Sequence, residues 1–363
     1  MPGILSEPQP SPFHIPSIDI TPYIEDPTSP AAQAVIDSIR TACLSTGFFQ
    51  LFGHGVPRSL QSNVFSAASK FFALPESAKL PISLCPRTQY RGYNKFASQS
   101  YGDDVLPDLK EGFFFGADLE PSHPHVLENR YYAHPNLWPP EDLLPKSEFK
   151  DPLMEYYNAM LRLSNTVFDL VAATFPPGSR SLDEFRKDIV CPVRLLHYPP
   201  TPNFIPNDGS TANISTSDNN KSRNQKPQFG ASAHTDFNSI TLLLQDEHEG
   251  LEVFDRGSQT WNLVPPNKDA YVVNLGHLMS KLTDGVYKSS LHRVVNRNPN
   301  EDRMSVVFFN VGNVDYEIRP LWGGGEGKEM GMTVEEWMLS RMKFAYERHA
   351  KAEEPKPELE PTV

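Results

Sequence analysis

The chain has 363 residues, enough for one large domain or two moderate ones, and 39% of them are hydrophobic, enough for a substantial core. Its formal net charge of −12 argues against nucleic acid or an anionic membrane as a partner. The three cysteines (Cys43, Cys85 and Cys191) lie far apart with no CxxC pair, which argues against a disulfide framework or a zinc–thiolate site and suits a reducing compartment.

The opening residues, MPGILSEPQPSPFHIPSIDI, carry no basic n-region and no long apolar run. No stretch of about 18 apolar residues occurs anywhere, so a soluble cytoplasmic protein is expected, as a monomer or weak homodimer. In chain order, IPSIDI predicts a short strand. Val35, Ile36, Ile39 and Cys43 recur at helical spacing between Ala32 and Thr46. GFFQLFGHGVP then reads as a strand closed by Gly and Pro. Leu60, Val64, Ala67, Ala68 and Phe71 repeat the helical period. A longer helix is predicted from Pro152 to Phe175, on Leu153, Tyr157, Met160, Val167 and Val171.

The texture then changes. VRLLHYPP, SITLLLQD, GLEVFD, TWNLVPP, AYVVNLG, SLHRVVN, RMSVVFFN and VDYEIRPL are short runs rich in β-branched and aromatic residues, set between turn formers. Strands at that spacing predict a mainly β fold with flanking helices, a jelly roll or a related double sheet. TVEEWMLSRMKFAYERH is a helix, with Thr333 and Glu336 as its capping box. Residues 1–150 read as a mixed helix and strand region packed on a core at 151–350. A polar insertion at 203–227 lacks any periodicity, and 351–363 is expected to be a disordered tail.

Chemistry concentrates in ASAHTDFNSITLLLQD. On a strand, His234 and Asp236 would share a face, with Thr235 on the other. His292, in the β-rich SSLHRVV, is the candidate third ligand. Two histidines and one carboxylate on a β scaffold form the facial set that holds Fe(II) and leaves open positions. The bland alternative is an HTD turn and an unrelated core histidine. Arg303 and Ser305 share a strand face in RMS. A guanidinium grips a carboxylate through two parallel hydrogen bonds and a serine adds one, which suits a keto-acid co-substrate. A buried ion pair beside a strand serine is the alternative. Tyr198 either offers a further hydroxyl or only packs. His197 faces the other way and reads as structural, His123 and His125 lack a carboxylate partner, and Lys110–Glu111 reads as a structural ion pair.

These stretches, with KFFALP, RGY, LKEGFFFG and HPNLWP, resemble the isopenicillin N synthase-like group of non-haem Fe(II), 2-oxoglutarate-dependent oxygenases along most of the chain. LRLLHYPP and the proline content are most similar to the fungal branch, with its thymine 7-hydroxylase-like and small-molecule tailoring enzymes. The resemblance implies a distorted double-stranded β-helix. It implies Fe(II) on His234, Asp236 and His292, and 2-oxoglutarate on Arg303, Ser305 and Tyr198. O2 is the further co-substrate, and ascorbate a stimulant. It also implies a substrate pocket near Arg91, Tyr93, Asn94, Phe113, Phe115, Phe237 and Phe309, although core packing is the alternative for each aromatic taken singly. Gly276-His277 departs from the Gly-Asp that relatives often carry, and a local change is expected there. The insertion at 203–227 is expected either to cover the site or to be a spare loop.

The implied activity is Fe(II)- and 2-oxoglutarate-dependent hydroxylation, desaturation or ring formation on a small organic molecule, in fungal secondary metabolism. An Fe(II) oxidase that does not use 2-oxoglutarate, a nucleobase hydroxylase and a catalytically silent jelly-roll binding protein are the alternatives.

Overall fold

A computed structural model describes residues 13–99, 105–200, 227–297, 300–322 and 331–350. Among these, twelve strands form two sheets: β1 (Ser17–Asp19), β2 (Phe48–Phe52), β3 (Gly92–Asn94), β4 (Glu111–Phe115), β5 (Val193–Tyr198), β6 (Ala231–His234), β7 (Ile240–Gln245), β8 (Leu251–Asp255), β9 (Thr260–Leu263), β10 (Tyr271–Leu275), β11 (His292–Val294) and β12 (Arg303–Asn310). The larger sheet runs β1-β2-β10-β7-β12-β5-β4-β3, and the smaller β6-β11-β8-β9. The N-terminal strands therefore extend both edges of the larger sheet. Every pair is antiparallel except β1 with β2.

The period-2 alternation of the central strands gives the larger sheet two different faces. Val193 and Leu195 of β5, Leu242 and Leu244 of β7, and Val306 and Phe308 of β12 enter the main core. Helices pack against that face. The helix Lys150–Ala173 buries Leu153, Tyr156, Met160, Leu163, Val167 and Val171, which recur every three or four residues. The helices Pro30–Ser45 and Arg58–Phe72 bury similar stripes. The other face of β5, β7 and β12 looks toward the smaller sheet and encloses a cavity. Register aligns this wall: Arg303 lies opposite Tyr198, Ser305 opposite Leu196 and Gln245, and Val307 opposite Arg194 and Leu243.

The expected helices are present, and the capping box forms. Thr333 N–H donates to Glu336 Oε2 at 2.8 Å, and Glu336 N–H donates to Thr333 Oγ1 at 3.2 Å, at the start of the helix Val334–Ala350. The three cysteines are free. Two expectations need correction. VDYEIRPL is not a strand; only an isolated bridge from Glu317 to Thr333 marks it, because the segment turns at Val314–Asp315. The reading of residues 1–150 left out EGFFF, which is strand β4, beside β5. No helix among the described residues is long and apolar enough to cross a membrane. Residues 201–226 and the tail from 351 lie outside the described residues, and with them nearly all of the insertion.

Candidate active site

The cavity between the sheets has a volume of about 1130 Å³, its mouth included. His234 is the last residue of β6 and His292 the first of β11, and the two are directly paired across the ladder. Their ring centroids are 4.4 Å apart. Asp236 does not continue β6, contrary to the strand expectation. The strand ends at His234, and Asp236 lies in the loop that leads to β7. The loop turns its carboxylate back, so that Oδ1 lies 3.8 Å from His234 Nε2 and 3.6 Å from His292 Nε2. The three ligand atoms lie within 4.8 Å of one another, and this is the one such cluster among the described residues.

Surrounding groups aim each ligand atom. His234 Nδ1 is 2.7 Å from Ser232 O and His292 Nδ1 is 3.2 Å from Ser290 O, which puts a proton on each Nδ1 and frees Nε2. Asp236 Oδ2 accepts from Thr241 Oγ1 at 2.6 Å and Asn274 Nδ2 at 2.8 Å, leaving Oδ1 to face the imidazoles. Burial and the neighbouring His292 push the His234 pKa down to about 3, against the pull of Asp236, so that ring is neutral. Burial would raise the Asp236 pKa, but the charge and hydrogen bond of His292 outweigh it and hold the carboxyl well below its usual range. Burial likewise opposes the charge on His292, yet Asp236 raises that imidazole's pKa. A neutral imidazole, a second imidazole and a permanent carboxylate on one edge fit a borderline divalent metal such as Fe(II).

The loop carrying Asp236 is pinned from two sides. Asp236 O accepts from His277 N at 2.7 Å, and Leu278 N donates to Asn238 O at 3.2 Å. Gly276 is required for this contact, since a Cβ there would lie 2.0 Å from Asn238 O. The contact at 277 uses only the backbone N–H, and the His277 ring meets Trp337 edge-on at 5.2 Å. Trp337 Nε1 donates to Phe237 O at 2.9 Å and ties the helix Val334–Ala350 to the same loop.

At one end of the cavity lies Arg303, 1% exposed. Its Nη2 donates to Gln245 Oε1 at 2.9 Å and its Nε to His248 O at 3.3 Å, while its centre sits 4.9 Å over the Tyr198 ring. Nη1 is buried and has no acceptor. An orphaned guanidinium donor in a cavity wall, beside Ser305 and Tyr198, fits a ligand carboxylate.

Phe237 and Phe309 line the cavity with these groups; Arg91, Tyr93, Asn94, Phe113 and Phe115 do not. The strand period explains the aromatic placement: Phe113 and Phe115 are fully buried in the main core, and Phe114 between them, although part of the same core cluster, also lines the cavity. Arg91 spends its donors on Tyr132 O, Ala117 O and Asn136 Oδ1. Tyr93 donates to Glu111 Oε2 at 2.6 Å, and Asn94 binds Ser98 and Arg194. Lys110 and Glu111 are not paired with each other. Lys110 joins Asp108 at 2.7 Å and faces the cavity, while Glu111 joins Lys79 and His197. Sequence reasoning also missed Arg194, although it sits four residues before Tyr198 on the same strand face.

Residues 15–141 match the family described as non-haem dioxygenase in morphine synthesis N-terminal, and residues 191–311 match the 2OG-Fe(II) oxygenase superfamily. The chain is 53% identical over 339 residues to the 2-oxoglutarate-dependent dioxygenase citB of Monascus ruber, covering 93% of this chain and 97% of that protein. It is 45% identical over 355 residues to clavatol oxidase claD of Penicillium crustosum, covering 94% of this chain and 99% of that one. A solved structure of a full-length Neurospora crassa protein in complex with alpha-KG and 5-formyluracil matches with a TM-score of 0.69 at 25% identity, over 90% of this chain and 95% of that chain. Likeness to curated relatives across nearly the whole length, on a site suited to iron and a keto acid, decides the family: the chain belongs to the 2OG-Fe(II) oxygenase superfamily and is an iron- and 2-oxoglutarate-dependent dioxygenase.

Proposed function

We propose that His234 Nε2, Asp236 Oδ1 and His292 Nε2 hold the Fe(II), and that Arg303, with Ser305 and Tyr198, grips the far carboxylate of 2-oxoglutarate. The observation that carries this reading is the buried, acceptor-less Nη1 of Arg303 in the same cavity as the triad. When bound, Fe(II) and 2-oxoglutarate supply O2 activation, with 2-oxoglutarate oxidised to succinate and CO2 and a substrate C–H bond attacked. The protein's share is positional. Ser232 and Ser290 carbonyls fix both imidazole tautomers. Thr241 and Asn274 hold the carboxylate so that only one oxygen faces the metal position. Gln245 and the His248 carbonyl orient the guanidinium before any ligand arrives. Phe114, Phe237, Leu243, Phe309 and Met338 give the rest of the cavity an apolar wall that excludes water from the reacting bond.

The substrate is read as a small organic molecule of fungal secondary metabolism, supported by the 45–53% identity to the Monascus dioxygenase and the Penicillium clavatol oxidase. The net charge of −12 supports a small-molecule partner over nucleic acid, in a cytoplasmic monomer or weak homodimer. The test is succinate release from 2-oxoglutarate under air. Release should need added Fe(II), vanish in Asp236→Ala and persist in His125→Ala. Equal release by Asp236→Ala and the parent protein would sink the assignment.

A further inference from the structure

Each imidazole of the triad is oriented by a carbonyl only two residues back in the chain. His234 Nδ1 is 2.7 Å from Ser232 O, and His292 Nδ1 is 3.2 Å from Ser290 O. So local a contact fixes the ring no better than the peptide itself is fixed. Both histidines stand at strand ends, His234 closing β6 and His292 opening β11, where a ladder restrains the chain least. β6 is also an edge strand of the smaller sheet.

The side chains of the same two serines are anchored outside the strands that carry the ligands. Ser232 Oγ donates to Asp108 Oδ1 at 2.5 Å, and Ser232 N–H donates to the same oxygen at 2.8 Å. The Asp108 carboxylate is fully buried, and Lys110 at 2.7 Å supplies its counter-charge. The chain around Asp108 runs beside the approach to β6: Leu106 N–H donates to Pro227 O at 2.9 Å and Leu109 N–H to Phe229 O at 2.8 Å. Ser290 Oγ donates to Thr46 O at 2.6 Å, just past the helix Pro30–Ser45, and Lys288 N–H donates to Cys43 O at 2.9 Å. Phe48, two residues on from Thr46, meets the His292 ring edge-on at 5.5 Å. A buried hydroxyl finds an acceptor anywhere, so one such contact would be simple satisfaction. Here the Ser-x-His spacing, the contact with Nδ1 and the anchor in the N-terminal region repeat at both rings. The anchors lie 124 and 244 residues from their serines, so strand geometry alone does not supply them.

We propose that Ser232 and Ser290 are positioning residues for the metal, and that their anchors, Asp108 and the Thr46 carbonyl, make the N-terminal region part of the metal site. This rests on the reading of His234, Asp236 and His292 as the iron ligands. Neither serine belongs to the triad. Each sets the plane of one imidazole by fixing the carbonyl that accepts its Nδ1–H. Both rings are then arranged before any metal arrives, by contacts from residues that precede the ligand-bearing strands in the chain.

The test uses the full-length protein loaded with Co(II) in place of Fe(II) and read by proton NMR. The ring N–H of a histidine bound to Co(II) gives a strongly shifted line that disappears in D2O, and the parent should show two. Ser232→Ala and Ser290→Ala should each move or broaden one of them, and should weaken Co(II) binding about tenfold, the lower end of the loss usual for an outer partner of a ligand. Ser290→Thr, which keeps the hydroxyl, should restore both readouts. Asp108→Ala should act like Ser232→Ala; it also breaks the buried pair with Lys110, so Ser232→Ala decides the point if that variant does not fold. Thr174→Val removes a buried hydroxyl bound to Val171 O at 2.6 Å, outside the cavity, and should lower the melting temperature while leaving lines and affinity unchanged. Unchanged lines with affinity within about twofold of the parent in both serine variants, or an equal affinity loss in Thr174→Val, overturn the inference alone. A parent that binds no Co(II), or binds it without any exchangeable shifted line, overturns the assignment of the iron ligands as well.

Discussion

Thr241 is not part of the proposed iron triad, yet it sets the aim of that triad's carboxylate. Its Oγ1 donates to Asp236 Oδ2 at 2.6 Å, beside Asn274 Nδ2 at 2.8 Å. Thr241→Val keeps the branched shape and removes one of these two donors. A hydrogen bond to a charged group is worth about 1.5–3 kcal/mol net. Expressed wholly in metal binding, that is about a 10–100-fold weaker Fe(II) complex, which is also the range usual for losing an outer partner of a metal ligand. The carboxylate is 8% exposed, so water is poorly placed to replace the hydroxyl. The assay is anaerobic Fe(II) titration of parent and variant, with circular dichroism as the check on folding. A variant that folds normally and binds Fe(II) within about twofold of the parent would show that Asp236 is aimed by something else.

Arg303→Gln should raise the 2-oxoglutarate requirement at least tenfold, since truncating a desolvated charged contact costs about 2–5 kcal/mol, while Fe(II) affinity stays near that of the parent. Steady-state titration of both ligands checks this, and an unchanged requirement would make the arginine structural. His197 bridges Glu111 at 2.8 Å and Asp302 at 2.6 Å; burial alone would lower its pKa, but these two partners leave it raised. A raised folded-state pKa means the bridge stabilises fully below the ordinary imidazole value of about 6.5 and fades as pH rises through the raised value. The melting temperature of the parent should therefore fall toward that of His197→Gln across this window, and parallel pH curves would refute the pairing. Gly276→Ala forces a Cβ to 2.0 Å from Asn238 O and should both lower the melting temperature and weaken Fe(II) binding. Gly257→Ala, whose Cβ would meet only the Asp255 side chain at 3.4 Å, should do neither.

The cluster of His234, Asp236 and His292 was legible in the sequence because its chemistry is short-range. HTD and a β-borne His292 carry their meaning in residue type and spacing, and the ladder then pairs the two histidines. The strand reading was nonetheless wrong for Asp236, whose approach depends on a loop held by His277 N and Trp337 Nε1, contacts made by residues far along the chain. The phase of β4 was not legible. All five residues of EGFFF are buried, so hydrophobicity gives no alternation to read, and only pairing with β5 decides that Phe114 faces the cavity. Arg194 was hidden for a related reason: in VRLLHY it looks like a lone surface charge on a strand edge, whereas β5 lies between β4 and β12. VDYEIRPL has strand composition but no partner ladder, and β propensity without pairing does not make a strand.

The proposed function requires two separate sets of side chains to hold two separate ligands in one cavity. Anaerobic calorimetry with Fe(II), then with 2-oxoglutarate on the iron-loaded protein, tests it most directly in the parent, Asp236→Ala and Arg303→Gln. The parent should bind one equivalent of each. Asp236→Ala should lose iron, and with it the iron-dependent part of 2-oxoglutarate binding. Arg303→Gln should keep iron and weaken 2-oxoglutarate at least about tenfold. Full-affinity iron binding in Asp236→Ala, or unchanged 2-oxoglutarate binding in Arg303→Gln, would show that these side chains do not hold the two ligands.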